Sequence, residues 1–375
     1  VGRRRVARIV AIEAAPYFGL VIAANQASLT SFAAAAQTPP MRHHRARAAL
    51  CLVVLALTAA ACGGSGSTGA GTTTTAASGS STSAGASDGP RTITNQWGTA
   101  TLDAVPTKIV SLDPQFTDAL LALGVKPAAY LTSDLYVAGG IFPWETDQLD
   151  GVPQIQFDGT TFDVQDVYNQ HPDLIVGTYA IESKDRYDDL AEIATTIGAP
   201  DPKRETQTWQ DMVTLAGTVL DRQQDAADLI TKTEADIAKR AAALPGLKGK
   251  TYTFVNYVPG DALYVVADPD DGAAELFDAF GLSINPAALK AADGATGRAK
   301  FSLEQVDLLD SDVILMLANG GKPSDLIGFD SLRAATSGAV VQLDFDAATA
   351  LNTPSVLSVP WVLDQIEPAL QKVGS

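Results

Sequence analysis

Sulfur and imidazole are scarce in this 375-residue chain, which has two Cys, three Met and three His. Both cysteines, Cys51 and Cys62, fall near the N-terminus. The rest of the chain can therefore form no disulfide and offers no thiolate nucleophile. His43 and His44 lie there too, which leaves His171 alone beyond them. One histidine cannot supply the several imidazoles of a bare zinc or manganese carrier, nor, without a partner, a nucleophilic triad. No Gly-x-Ser-x-Gly elbow occurs from residue 91 onward. A carboxylate-only glycosidase would fit the composition, but no motif points to one.

Basic residues are the second scarcity. The total charge is −17, yet residues 1–61 hold seven Arg and one acid, so the remainder carries 19 basic against 42 acidic side chains, a formal −23. Such a body repels nucleic acid and anionic headgroups, and disfavours polyanionic ligands unless a pocket holds local positive charge.

What is present at the N-terminus is export machinery. Met41 opens the basic stretch Arg42-His43-His44-Arg45-Ala46-Arg47, and an apolar run from Ala48 to Ala61 follows, too short to span a bilayer. Residues 41–61 are thus expected to be a signal peptide. Leu57-Thr58-Ala59-Ala60-Ala61-Cys62 resembles a bacterial lipobox, which makes Cys62 the expected lipidation site and an ordinary signal-peptidase site the alternative. Two acyl chains on one cysteine suffice for stable membrane anchoring. Residues 1–40 precede this complete signal and are read as an over-extended start, or else a genuine extension. Residues 62–90 are almost wholly Gly, Ser, Thr and Ala, a tether unable to bury enough apolar area to fold.

Strand-like and helix-like runs alternate beyond the tether. Lys108–Leu112, Leu174–Gly177, Tyr252–Asn256, Val313–Leu317 and Val340–Leu343 read as strands, and Thr117–Leu123 reads as a helix closed by Gly124. Strands separated by helices predict mostly parallel sheets. An internal repeat supports two like lobes. Phe162-Asp163-Val164-Gln165-Asp166-Val167 aligns without gaps on Phe301-Ser302-Leu303-Glu304-Gln305-Val306, and Pro172–Val176 on Ser311–Leu315. Each copy reads as a capped helix, a turn and a buried strand. Between the copies, apolar or small residues at Ala226, Ile230, Thr233, Ile237, Ala241 and Leu244 recur every three or four positions, predicting one long helix ended by Pro245-Gly246. The expected organisation is an N-terminal lobe over 91–222, a linking helix over 223–245 and a C-terminal lobe over 246–375.

In this order and spacing the chain resembles the siderophore and cobalamin class (class III) of solute-binding lipoproteins that serve ABC importers, in its iron-siderophore branch. The resemblance rests on the lipobox and tether, Val105–Val110, Leu120–Pro127, His171–Ile175, Asp189–Ala194, the linking helix and Phe301–Glu304, and covers residues 92 to about 372. It implies an α/β fold of two Rossmann-like lobes joined by one long α-helix, with a ligand cleft between them. It also implies one acid on each lobe docking onto Arg residues of the importer's membrane subunits. Glu304 matches the C-lobe acid, whereas Gln165 occupies the N-lobe position, so Asp166 or Asp163 would have to supply that charge.

Ligands of open α/β lobes sit beyond the strand ends. Candidate wall residues are therefore Gln115 and Phe116, then Tyr136, Phe142 and Trp144 in the next long connection, Tyr179, and Tyr257 in the C-lobe. Aromatic faces at such positions suit a planar or catecholate-bearing ligand. Arg298 is the candidate for neutralising a carboxylate or hydroxamate oxygen. Trp361 belongs to core, with Val359, Val362 and Ile366 around it at helical spacing. The implied function is that of a monomeric, membrane-anchored, extracytoplasmic receptor, not an enzyme, capturing a ferric siderophore with no cofactor of its own and with iron entering only inside its chelator. Haem or cobalamin is the alternative ligand, with Tyr136, Tyr179 or Tyr257 available to haem iron. A ligand sensor or secreted enzyme would use the same export route.

Overall fold

The computed structural model describes residues 89–375 apart from 134–136, 205 and 294–296. The start region, the signal peptide, Cys62, the tether up to residue 88, and Tyr136 lie outside the described residues, which all belong to one compact unit. No helix among them is long and apolar enough to cross a membrane.

A hairpin of β1 (Arg91–Asn95) and β2 (Gly98–Leu102) comes first. Its turn is pinned to the lobe behind it, where Gln96 N–H donates to Ala199 O at 2.9 Å and Trp97 packs on Tyr187. The lobe itself is built from β3 (Ile109–Ser111), α1 (Pro114–Ala122), β4 (Ala129–Thr132), β5 (Gln154–Gln156), α2 (Val164–Tyr168), β6 (Leu174–Val176), α3 (Lys184–Ala191) and β7 (Thr195–Ile197). Its sheet runs β5-β4-β3-β6-β7 with every pair parallel. Both β3 and β6 are buried at every position, as strands covered on two faces must be. Helix α1 starts where Asp113 accepts the Phe116 N–H at 2.9 Å ahead of Pro114, and it stops at Leu123 before Gly124, whose φ of 76° suits a residue without Cβ.

Two helices carry the chain onward, α4 (Trp209–Val219) and the 20-residue α5 (Gln223–Ala242). They approach closely because Gly217 faces Ala226; a Cβ on Gly217 would stand 2.4 Å from that of Ala226. At about 1.5 Å per residue α5 spans roughly 30 Å. It buries Ala226, Thr233 and Ile237, and near its end Arg240 donates to Asp236 at 2.9 Å and to Asp364 at 2.6 Å.

The second lobe comprises β8 (Thr251–Val258), β9 (Ala262–Val266), α6 (Gly272–Asp278), β10 (Ser283–Ile284), α7 (Pro286–Ala291), β11 (Ala292–Asp293), β12 (Arg298–Phe301), β13 (Val313–Leu317), α8 (Arg333–Ser337), β14 (Val340–Leu343), α9 (Phe345–Asn352) and α10 (Ser358–Gly374). Its sheet runs β11-β12-β9-β8-β13-β14, with β10 added to β8. Here the expected parallel pairing holds on one side only, for β10, β8, β13 and β14, whereas β8, β9, β12 and β11 pair antiparallel in succession. The cause is the tight turn Pro259-Gly260-Asp261. Gly260 has φ 79° and Asp261 N–H closes the turn on Val258 O at 3.0 Å, which leaves no room for a crossover.

The repeated segment takes two conformations. Asp163 caps α2 by accepting the Gln165 N–H at 2.8 Å, whereas the Ser302 N–H is taken by the Gln305 side chain at 2.9 Å. The second copy therefore forms a turn and a 3-10 helix, Val306–Leu309, in place of the expected α-helix. A deeper correspondence holds below it. Asp173 accepts the N–H and hydroxyl of Thr107 at 2.7 and 2.8 Å, and Asp312 accepts those of Thr251 at 2.9 and 3.0 Å. In each lobe the turn entering one central strand is thus tied to the start of the neighbouring one.

The apolar interior is not divided at the lobe boundary. One cluster runs from Ile93 and Phe116 through Met212 and Ile237 to Phe254, Leu315 and Leu370, while a second lies on the other face of the N-lobe sheet around Val110, Leu131, Ile155 and Ile175.

Candidate functional site

The strand ends of the N-lobe meet the C-lobe segment between α9 and α10 at a cleft. Its N-lobe wall carries Gln115 and Asp118 on α1, Phe142 and Trp144 from the connection after β4, and Tyr179 after β6; Thr349, Thr353 and Ser355 face them. Phe142 and Trp144 are stacked, with centroids 4.6 Å apart and planes within 5°, and Trp144 leans on Trp361 at 5.2 Å. The space between the walls is about 30 Å³. A small-molecule pocket measures roughly 300–1,000 Å³, so admitting such a ligand requires the walls to part.

Two side chains of α1 cross the cleft. Gln115 Nε2 donates to Gln207 O at 3.1 Å on its own side and to Pro354 O at 2.6 Å on the other. The Asp118 Oδ2 accepts the Ser355 hydroxyl and, at 2.9 Å, the Trp144 indole N–H. Apart from the neighbouring Glu145 carboxyl, Asp118 Oδ1 meets no donor. Glu145 faces Asp118, and Glu145 Oε2 accepts the Phe142 N–H at 2.7 Å. Both carboxyls are 2% exposed.

Burial raises the affinity of this pair for protons. Asp118 is pushed up to about 7 by burial, against the hydrogen bonds from Ser355, Trp144 and Glu145. Glu145 is pushed up to about 9, by burial and then by the charge of Asp118. One proton shared between two buried carboxyls avoids placing two like charges side by side. Asp113, fully enclosed beside them, is likewise raised by burial, against hydrogen bonds from Thr178 and the Phe116 and Gln115 backbone.

Several expected wall residues stand elsewhere. Phe116 is wholly enclosed in the main apolar cluster, because the cap at Asp113 turns Gln115 toward the cleft and Phe116 inward. Tyr257, on β8, is buried in the same cluster with its ring beneath Gly321, where a Cβ would stand 2.6 Å from Tyr257 Cε1. Arg298 is 8% exposed and is not among the residues lining the cleft; it stands 3.2 Å from Asp271 Oδ2, with a hydrogen bond to Asn352 Oδ1 at 3.1 Å. Such a guanidinium neutralises an internal acid, not a ligand. Trp361 is half-buried against Trp144 and the core. Of the docking candidates, Glu304 is fully exposed in the turn before the 3-10 helix, its carboxyl held below the usual range by the Ser302 hydroxyl. Gln165 and Asp166 are exposed on the first turn of α2.

The acids Asp118 and Glu145 were missed as site residues. The signal for Asp118 was the register of α1, where Gln115 and Asp118, three apart, share a face, whereas Glu145, in the connection after β4, gave none.

A larger cavity, about 250 Å³, lies between the 204–210 segment, α5 and α6. Arg204 there is paired with Glu275 at 2.7 Å and Gln210 with Glu234 at 3.2 Å, so its polar groups serve the fold, and the cleft remains the better site.

The chain matches the profile of the family described as Periplasmic binding protein over residues 109–347. Among curated proteins it is 29% identical over 192 residues to the probable siderophore-binding lipoprotein YfiY of Bacillus subtilis, covering 50% of this chain and 56% of that one. It is 29% identical over 160 residues to the ferric enterobactin-binding periplasmic protein FepB of Escherichia coli O6:H1, covering 41% and 49%. The chain thus matches about half the length of these relatives. A periplasmic solute-binding protein from Mycobacterium smegmatis shares the fold, with TM-score 0.65 and 24% identity over 77% of this chain and 100% of that one. With more than half of its length inside the family profile, the chain belongs to the periplasmic binding protein family, whose members hold a substrate and do not transform it.

Proposed function

We propose that this protein captures a ferric siderophore outside the cytoplasmic membrane and hands it to an ABC importer. The observation that carries the reading is the stacked Phe142–Trp144 pair, with Tyr179 beside it, on one wall of an interlobe cleft. Flat aromatic faces grip the organic periphery of a chelate at low entropic cost. The names of YfiY, a probable siderophore-binding lipoprotein, and FepB, a ferric enterobactin-binding periplasmic protein, support the same class. In this reading iron is cargo inside its chelator and the protein needs no cofactor. Among the described residues no cluster of three or more His, Cys, Asp or Glu could hold a bare ion. Delivery would use Glu304 on one lobe and Asp166 on the other, exposed acids suited to Arg residues of a membrane subunit. A diacylglyceryl group on Cys62 would keep the receptor at the membrane.

Tryptophan fluorescence tests this directly, because Trp144 lines the cleft. Ferric siderophores of the matching class should quench it saturably and haem should give no Soret shift. Absence of saturable quenching across hydroxamate, catecholate and citrate-type ferric chelates would overturn the reading.

A further inference from the structure

We propose that the cleft selects its chelate by charge, accepting uncharged or cationic ferric hydroxamates and rejecting polyanionic catecholates, with Asp118 as the residue that sets the preference. The inference rests on the siderophore reading and adds the ligand class that the relatives leave open. Among the described residues that line the cleft none is Lys or Arg, and residues 134–136 (Asp-Leu-Tyr) contain no basic residue either. The nearest expected counter-charge, Arg298, is spent on Asp271. What the cleft does hold is carboxyl chemistry. Asp118 lines it, its Oδ1 met by no donor apart from the Glu145 carboxyl directly behind, and Asp113 is enclosed at the start of the same helix.

A group inside a closed cleft feels such charge with little screening. Three singly charged hydroxamates balance iron(III), so their complex is neutral, and a pendant ammonium makes it a cation. Three doubly charged catecholates leave a trianion, which would meet Asp118 without a compensating cation. The body beyond residue 61, at a formal −23, adds long-range repulsion to that local term. A pendant ammonium, by contrast, finds both the Asp118 carboxyl and the faces of the Phe142–Trp144 stack. The likeness to FepB therefore does not carry its ligand over to this chain.

The test is a charge series on the unmodified protein at neutral pH and low salt, read by Trp fluorescence. The probes are ferrioxamine B, which bears a pendant ammonium, its N-acetylated uncharged form, and ferric enterobactin. Ferrioxamine B should bind about tenfold more tightly than its acetylated form, and ferric enterobactin at least about 100-fold more weakly than either. In Asp118→Asn the roughly tenfold ratio between ferrioxamine B and its acetylated form should fall to about one, whatever the absolute affinities. Ferric enterobactin binding as tightly as the hydroxamates would overturn the charge selection yet leave the siderophore reading standing. Survival of the ammonium preference in Asp118→Asn would remove Asp118 from the role. Failure of every chelate to bind would instead defeat the underlying reading. The wild-type series needs no variant to fold, so the selection is decided even if Asp118→Asn is unstable.

Discussion

The proton between Asp118 and Glu145 links the cleft to pH. A carboxyl whose affinity for protons is higher folded than unfolded stabilises the fold fully below its unfolded pKa, near 4, and that contribution is lost as pH rises through the folded value. For Glu145, raised to about 9, the window runs from the ordinary carboxylate range to that value. Within it the free energy of unfolding should fall as pH rises, by at most about 1.4 kcal/mol per unit for one proton. Glu145→Gln supplies a permanent donor to Asp118 and should flatten this slope relative to wild type. Urea melts of both proteins across the window check it; parallel slopes would mean that the pair shares no proton.

At the scale of elements, α4 and α5 approach closely because Gly217 leaves room for Ala226. Gly217→Val would force the helices apart and should cost about 1–3 kcal/mol, a loss visible as a lower urea midpoint at unchanged slope. Element by element, the chain was legible where one local rule acted alone. The apolar runs at Ile109–Ser111 and Val313–Leu317 and the three-and-four spacing of α5 each specify their element from within. Legibility failed where a side chain chose between partners. Ser302 resembles a cap, but Gln305 takes its backbone N–H, and a helix becomes a 3-10 turn. The hairpin of β8 and β9 was announced by Pro259-Gly260-Asp261, a turn signal overshadowed by the alternation of strands and helices around it. In the site, Phe142, Trp144, Gln115 and Tyr179 could be placed because they follow strand ends. Arg298 could not, because its partner Asp271 lies 27 positions away and only the tertiary fold brings the two together. The same holds for Ser355, which reaches Asp118 across 237 residues.

Over the whole molecule, the walls of the cleft must separate to admit a chelate, yet Gln115, Asp118 and the Trp144–Trp361 contact bridge them. Such bridges favour a modest parting over a wide swing, as does the stiff α5 behind them. The undivided apolar cluster, which takes residues from both lobes, carries this further. Neither half can expose its share of that cluster without stripping the other half of its cover, so the two halves have no separate thermal lives. Scanning calorimetry should therefore record one endotherm with equal calorimetric and van't Hoff enthalpies. Two resolved peaks would contradict it. A receptor built this way meets heat or a protease as a single object, and a saturating guest in the cleft raises the melting point of the far lobe as much as that of the near one.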